Sequence, residues 1–358
     1  MKRLFCLLLS LMLLLCGCGG AAAPGGTTAT TAPEETEPPI SPYAQAAMDT
    51  NTLHYYFFTA DGQTASTGNR QTMCGDACLI FFPNGENMLI DTSTLTIYPV
   101  FKAWLEEKGV HRIDHLVMTH PANDHIGGAN AGLIFDFKIG MLYHNHGRND
   151  LLFTALEKDI PFTGLRQGDQ VTIGEGDRQT TVKVMWPTKD YLTTVSGTAG
   201  TQSQSLVLRL DFGEHSSLFA GDIYKTYEGS FDSQEKKKVY HIKDKVGAEE
   251  QMAAMYENNE LDVDLLKLAN HGNPSTSNGH ALFKATTPEL CVATGFYPLE
   301  SGYIEAYEKR GFKGKTLFDR KHGFIHVTAS ADGKMETETS RTDYKDPFGW
   351  LWNTEVGG

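Results

Sequence analysis

The chain has 358 residues, which is long enough for one large domain or two ordinary domains with a substantial core. Its formal net charge is −13, and this acidic balance disfavours a broad polyanion-binding surface without excluding a local basic groove. No internal repeat at solenoid or propeller periods is present, which excludes those repeat architectures.

The first segment has the pattern of an export signal. Lys2 and Arg3 precede an apolar stretch, residues 4–15, that is too short to span a bilayer as a permanent helix. The letters "LCGC" follow and resemble the bacterial lipobox, in which the cysteine, here Cys18, is lipidated and becomes the first residue of the mature protein. We predict a lipoprotein signal peptide over residues 1–18 and an extracytoplasmic protein anchored to the membrane by lipid. An ordinary cleaved signal is disfavoured, because nothing before Cys18 resembles a small-x-small cleavage site.

Composition divides the rest of the chain into three parts. Residues 19–51 are rich in Gly, Ala, Thr and Pro and are predicted to be a disordered linker. Residues 52–341 are predicted to form one folded domain, and their length suits a two-layered domain. Residues 342–358 form a tail whose Trp350 and Trp352 are expected to dock on the domain.

Strands and helices follow one another along the predicted domain. The letters "LHYYFFTA" and "ACLIFFPNGENMLIDTS" predict strands, "YPVFKAWLEEKG" an amphipathic helix, and "IDHLVMTH" a buried strand. Further strands and helices alternate to the closing hairpin, and a charged segment after Asp222 is predicted to be a surface insertion. The pattern predicts an α+β fold.

Three cysteines lie beyond Cys18: Cys74, Cys78 and Cys291. An odd number in an exported protein leaves at least one thiol unpaired. A Cys74–Cys78 disulfide is one alternative, and a metal site is disfavoured because no second Cys or His pair lies nearby. We expect all three to be structural, in the core or in a disulfide.

The loop "THPANDHIGG" concentrates candidate metal ligands after a buried strand. His120, Asp124 and His125 are residue types that hold catalytic metals, and Gly127 and Gly128 allow a tight turn into a helix. His144 and His146 lie two residues apart after another predicted strand, and solvated loop histidines are the favoured reading for them.

This loop and four other motifs, in this order, resemble the metallo-β-lactamase superfamily. They are "GDACLIFFPNGENMLIDTS", "THPANDHIGG", "QSQSLVLRLDFGEHSSLFAGD", "LLKLANHGNPSTS" and "LFDRKHGFIHVTASADG". Within the superfamily they are most similar to the ComEC-like hydrolase domain, which carries "GDA.LI", "LIDTG", "TH....DHIGG", "GD" and "K..HHG". The resemblance implies a four-layered αββα sandwich with metals at the edge between the two sheets.

Matched to those motifs residue by residue, the metal ligands would be His120, Asp124, His125, Asp222 and His271. Asp124 would also be catalytic, because it would bind the metal or orient the water whose pKa the metal lowers to about 7.

Three departures fall on the family's ligands. Ala122 stands where the family has a second histidine or an aspartate, residues 202–205 offer no histidine, and Asn270 replaces one member of the "HHG" pair. Two of the three usual ligands of the first metal position are therefore missing, whereas the second position keeps its set. We predict one divalent metal, zinc with manganese as the alternative. Which member of the pair at 270 and 271 points inward stays open.

The resemblance implies a hydrolase acting on phosphodiester or related ester bonds, with a small-molecule or nucleic-acid substrate. A phosphodiesterase and a nuclease are the candidates, and a lactam-hydrolysing enzyme is disfavoured because the resemblance lies with another branch. The rival is a non-catalytic ligand- or partner-binding lipoprotein on a decayed scaffold, which Ala122 and Asn270 favour. Five polar residues kept at loop ends oppose it, since a scaffold alone does not require them. The membrane is the partner that the lipid on Cys18 implies, and no pattern indicates a protein partner.

Overall fold

The computed structural model describes residues 39–60, 75–146, 151–194, 198–226, 247–295 and 302–341. Within these ranges, strands run in series with helices interspersed, as the sequence predicts. In chain order they are α1 (Pro42–Thr50), β1 (Thr52–Phe57), β2 (Cys78–Phe81), β3 (Asn87–Ile90), α2 (Tyr98–Glu107), β4 (Arg112–Met118), α3 (Asn123–Gly128), α4 (Ile134–Asp136), β5 (Lys138–His144), α5 (Leu151–Glu157), β6 (Phe162–Gly164), β7 (Gln170–Ile173), β8 (Thr180–Trp186), α6 (Lys189–Thr194), α7 (Thr198–Ser203), β9 (Val207–Phe212), β10 (His215–Phe219), α8 (Ala248–Met255), β11 (Leu265–Lys267), α9 (His280–Thr286), β12 (Leu290–Ala293), α10 (Tyr303–Lys309), β13 (Lys315–Phe318), α11 (Asp319–His322), β14 (Ile325–Ser330) and β15 (Met335–Thr339).

The described strands form two sheets. The first has the order β15-β14-β1-β2-β3-β4-β5-β6, and the second has the order β13-β12-β11-β10-β9-β8-β7. Strands β3 to β6 are parallel to one another, as are β10 to β13. The carboxyl ends of these parallel runs supply the loops that carry the candidate ligands.

Three apolar layers hold the sheets and helices together. Leu53, Tyr55 and Phe57 of β1 pack between the sheets with side chains of β9, whereas Tyr56 faces the helices α1 and α2. A third layer lies between the second sheet and the helices α8, α9 and α10. Such alternation along a strand buries both faces of a sheet, so each sheet lies between the other sheet and a helical layer. The predicted four-layered αββα sandwich is confirmed.

The folded region starts earlier than predicted. Residues 42–50, placed in the linker that was predicted over 19–51, form helix α1 instead. The Ser41 hydroxyl accepts backbone N–H groups at the start of this helix and donates to the carbonyl of Lys108, 2.5 Å away. Ala44 and Ala47 pack on the first sheet. Alanines three residues apart make a narrow apolar stripe on a helix. Composition alone does not distinguish such a stripe from an Ala-rich linker.

Several predictions fall on residues outside the described ranges. They concern the signal peptide at 1–18 with its lipid on Cys18, most of the linker, Cys74, most of the charged insertion, and the tail with its two tryptophans. Among the described residues, Cys78 and Cys291 are buried, as expected of core cysteines. No helix in the described part of the chain has the length and apolarity needed to cross a membrane.

Candidate metal centre

The candidate ligands meet at one edge of the sandwich. His120, Asp124 and His125 follow β4, Asp222 follows β10, and His271 follows β11. The parallel runs of both sheets end here, so side chains from loops far apart in the sequence reach a common point.

Four of the five predicted ligands form a compact group. Asp124, His125, Asp222 and His271 each place one ligand atom within 4.8 Å of all the others, and no other group of this kind occurs among the described residues. The side chains of His125, Asp222 and His271 are at most 2% exposed, whereas that of Asp124 is 24% exposed. Asp124 is therefore the member that faces the solvent.

A buried carboxylate orients His125. Its Nδ1 donates to Oδ2 of Asp91 over 2.7 Å, and the backbone N–H and hydroxyl of Thr119 donate to the same carboxyl group over 2.8 and 2.7 Å. With Nδ1 protonated, Nε2 of a neutral His125 carries a lone pair, and it lies 3.2 Å from Oδ1 of Asp222. Asp91 stands in the quoted "MLIDTS", but the sequence analysis assigned it no role.

The structure also decides which residue of the 270–271 pair points inward. Nε2 of His271 lies 3.0 Å from Oδ2 of Asp124, whereas the amide of Asn270 donates to the hydroxyl of Thr276 over 2.6 Å. Asn270 and His271 both have positive φ, 47° and 55°, so the backbone turns sharply between them. The retained histidine is thus the one that reaches the group.

The group has the unsatisfied polar atoms that a cation would neutralise. Nε2 of His125, Nε2 of His120 and both carboxyl oxygens of Asp222 are buried without a hydrogen-bond partner among the described residues. Leaving one such atom unpaired costs about 1–3 kcal/mol, and more for a charged group. Two imidazoles and two carboxylates suit zinc, and the carboxylates also suit manganese. The donor set fits a divalent metal.

Without a metal, protons supply the compensating charge. Burial opposes ionisation of both inner imidazoles, but neighbouring carboxylates outweigh it. They hold the pKa of His125 well above its usual range and raise the pKa of His271 to about 10. Burial also opposes ionisation of Asp222, yet the adjacent histidines lower the pKa of its carboxyl group. The carboxylates therefore favour positive charge at these imidazoles, which is the kind of charge that a divalent cation would supply.

His120 lies beside the four rather than among them. Its Nε2 is 3.8 Å from Oδ2 of Asp222, and burial together with the charge of His125 lowers its pKa to about 3. Ala122 precedes α3 without capping it. Ser205 is fully buried, accepts the backbone N–H of Asp222 over 3.0 Å and donates to a carbonyl of its own loop. The ligand role of His120 stays a prediction.

His144 and His146 are not part of the group either. The backbone N–H of His146 donates to Nδ1 of His144 over 3.1 Å, so the neutral imidazole of His144 carries its proton on Nε2. Burial and His146 lower the pKa of His144 to about 4. Asn145 between them donates to the carbonyl of Gln204 over 2.8 Å, which places this loop against residues 202–205.

Four polar residues with no role predicted from sequence support the candidate ligands, directly or through one another. Besides Asp91, they are Asp76, Lys267 and Thr294, all of them buried. A cavity of about 20 Å³, room for one water molecule, is lined by Asp76, Asp91, Thr119 and Lys267 among others. Asp91, which contacts His125, and Asp76, which contacts His271, therefore line the same cavity.

Comparison with known proteins finds remote structural likeness alone. No family model matches the chain, and no curated protein matches it. Among solved structures, the metallo-β-lactamase fold protein YhfI from Bacillus subtilis is similar at 12% identity over 80% of this chain and 100% of that chain, with a TM-score of 0.43.

Two further structures extend the comparison. CmlA, a diiron β-hydroxylase from Streptomyces venezuelae, is similar at 12% identity over 78% of this chain and 54% of that chain, with a TM-score of 0.41. This chain thus spans about half the length of CmlA. A metallo-β-lactamase with the HARLDQ motif from Cronobacter sakazakii is similar at 14% identity over 66% of this chain and 84% of that chain, with a TM-score of 0.36. Likeness at this level carries nothing about a reaction.

Proposed function

We propose that this protein is a metal-dependent hydrolase of the metallo-β-lactamase superfamily, most similar to its ComEC-like branch. In this proposal one divalent metal, zinc or manganese, binds Asp124, His125, Asp222 and His271. The substrate is a phosphodiester or related ester, in a small molecule or a nucleic acid. The observation that carries the proposal is the convergence of these four side chains with buried polar atoms left unsatisfied.

The side chains divide the work between holding and orienting. A bound divalent cation supplies Lewis acidity and lowers the pKa of a water molecule to about 7. His125, Asp222 and His271 are buried, and carboxylates orient the two imidazoles, so these side chains would fix the position of the charge. The partly exposed carboxylate of Asp124 is placed to orient an attacking water molecule on the solvent side.

Metal content and hydrolysis test the proposal together. The purified chain, loaded with zinc or manganese and desalted, is expected to hold one equivalent by elemental analysis and to hydrolyse bis-p-nitrophenyl phosphate. Asp124→Asn should lose hydrolysis. Two full equivalents of metal in the wild type would contradict the single-metal proposal, and no bound metal would contradict the hydrolase.

A second candidate is a non-catalytic ligand- or partner-binding lipoprotein. The hydroxyl of Ser205, hydrogen-bonded on both sides beside Asp222, favours it, because this part of the site is built for structure. One bound metal without any hydrolysis of phosphodiester or carboxylic ester probes would favour this candidate over the enzyme.

The proposed location rests on the lipobox-like letters ending at Cys18. In a host with the lipoprotein pathway, mass spectrometry should find a mature N-terminus that begins at Cys18 and carries lipid. An unmodified N-terminus at another residue would contradict membrane tethering and would leave the metal site unaffected.

A further inference from the structure

We propose that Asp76 is a positioning residue for the metal centre, held in place by Lys267 and Thr294, and that it fixes the imidazole of His271. Its Oδ1 lies 3.1 Å from Nδ1 of His271 and accepts the hydroxyl of Thr294 over 2.6 Å. Its Oδ2 accepts Nζ of Lys267 over 2.6 Å. The inference deepens the proposed function, because it assigns the support of one ligand in the same site.

Asp76 joins the two loops that carry ligands from different sheets. Its backbone N–H donates to the carbonyl of Asp124 over 2.8 Å while its side chain holds His271. Gly75, at a φ of 68°, allows this approach, since a Cβ there would lie 2.2 Å from the same carbonyl. The close contact therefore accounts for the "GD" pair of the first quoted motif.

Lys267 balances a charge that burial would otherwise make costly. Asp76, Lys267 and Thr294 are each at most 5% exposed, and an isolated carboxylate in such a place costs several kcal/mol. Nζ of Lys267 also donates to the carbonyl of Leu268 over 3.0 Å, which fixes the ammonium group. Lys267 ends β11, four residues before His271, so one short segment supplies both the ligand and the cation that anchors its support.

The arrangement repeats the one at the other imidazole. Asp91 follows β3 and contacts Nδ1 of His125, and Asp76 precedes β2 and contacts Nδ1 of His271. Each imidazole thereby presents Nε2 to Asp222. Groups that orient metal-binding histidines in this way contribute about 10–100-fold to metal affinity.

Asp76→Asn tests the assignment, with Asp264→Asn as the matched control. Asp264 lies 3.4 Å from His215, a carboxylate and imidazole pair outside the group. We expect Asp76→Asn to weaken zinc binding by about 10–100-fold in a chelator competition and to change the visible spectrum of bound cobalt, since the ligand geometry changes. The control should keep both wild-type values.

A second pair of variants covers the case in which Asp76→Asn does not fold. Thr294→Val removes one hydrogen bond to Asp76, and Thr294→Ser retains the hydroxyl. The first should weaken zinc binding and the second should restore it. Equal loss in both variants, or loss in Asp264→Asn as large as in Asp76→Asn, would overturn the positioning role.

Imidazole ¹⁵N NMR of the metal-free chain keeps this inference separate from the proposed function. Asp76→Asn should shift Nδ1 of His271 and leave Nδ1 of His125 in place, with Thr294→Val giving a smaller shift of the same kind. A wild type that binds no metal would contradict the hydrolase, and the NMR result would still decide the role of Asp76. An unchanged His271 signal in both variants would overturn that role.

Discussion

The candidate metal centre has two sides, which differ in how their histidines are supported. The retained side comprises Asp124, His125, Asp222 and His271, and the depleted side comprises His120, Ala122 and Ser205. On the retained side, His125 and His271 each rest on a buried carboxylate that is itself hydrogen-bonded, Asp91 and Asp76. On the depleted side, Nδ1 of His120 lies 3.2 Å from the hydroxyl of Thr119, and no carboxylate among the described residues supports this imidazole. Each histidine of the four-residue group thus has a supporting carboxylate, and His120 has none among the described residues.

Two residues near the candidate ligands have structural contacts of their own. The hydroxyl of Ser205 accepts the backbone N–H of Asp222, and the amide of Asn270 donates to the hydroxyl of Thr276. Both contacts lie in loops that carry candidate ligands, so these side chains stabilise those loops.

The largest expected effect comes from removing a ligand on the retained side. Asp222→Asn should weaken zinc binding by at least about 100-fold, more than the loss of a supporting group, because a carboxylate ligand is replaced by an amide. His120→Ala, on the depleted side, should leave the tight equivalent in place. Chelator competition and elemental analysis of both variants give the comparison.

Equal loss in the two variants would show that the two sides act as one site. His125→Gln provides a second retained-side variant in case the uncompensated neighbours of Asp222→Asn prevent folding.

Metal removal should lower the free energy of unfolding. The size of this loss should differ between variants of the retained side and variants of the depleted side. With zinc at 100 times its dissociation constant, the free energy of unfolding should rise by about 2.7 kcal/mol, because metal binds the folded chain alone. His120→Ala should keep this increase and Asp222→Asn should lose it. Urea unfolding with zinc and with a chelator measures the difference, and equal increases in both variants would contradict the assignment.

The convergence of the candidate ligands was predictable from sequence, because they stand in short segments that follow apolar strands. Asp222 and His271 are adjacent to glycines, and Asp124 and His125 lie at the start of α3, shortly after β4. The αββα sandwich was predicted from the resemblance to a family, whereas local periodicity gave only the order of strands and helices. Orientation was not predictable: the left-handed backbone at 270 and 271 decides which side chain points inward.

The supporting network lay beyond sequence reasoning for a different reason. Lys267 and Asp76 are 191 residues apart, and Thr294 and Asp76 are 218 residues apart. No spacing rule connects residues that meet only when two sheets pack. Asp76, Asp91 and Lys267 were present in the quoted motifs, so the available signal was a polar residue inside an otherwise apolar strand-end segment.

A smaller effect on stability is expected from Glu249 in helix α8, which supports the segment before the His271 loop. Both carboxyl oxygens of Glu249 in α8 accept backbone N–H groups, from Asn278 and Gly279 over 2.5 and 2.7 Å. Asn278 in turn holds Ala269, which precedes the His271 loop. Burial raises the pKa of Glu249 to about 8, against an ordinary value of 4.5.

The folded chain therefore keeps this proton where the unfolded chain loses it. Between about pH 4.5 and about pH 8, the contribution of Glu249 to stability should fall as pH rises, by up to about 1.4 kcal/mol per pH unit. Glu249→Gln should lack this slope. Urea unfolding of the metal-free wild type and variant across that range gives the difference, and parallel curves would contradict the raised pKa.

The smallest expected effect tests whether the depleted side can be restored. Ala122→His adds an imidazole two residues after His120, where the motif that this loop resembles has its second histidine or an aspartate, so the metal content should rise above one equivalent at high zinc. The added equivalent should bind more weakly than the first, because Ser205 still supplies no imidazole. Asn270→His is the matched control, since the side chain at 270 faces Thr276 and should add no metal. A rise with Asn270→His and none with Ala122→His would reverse the assignment of the two sides.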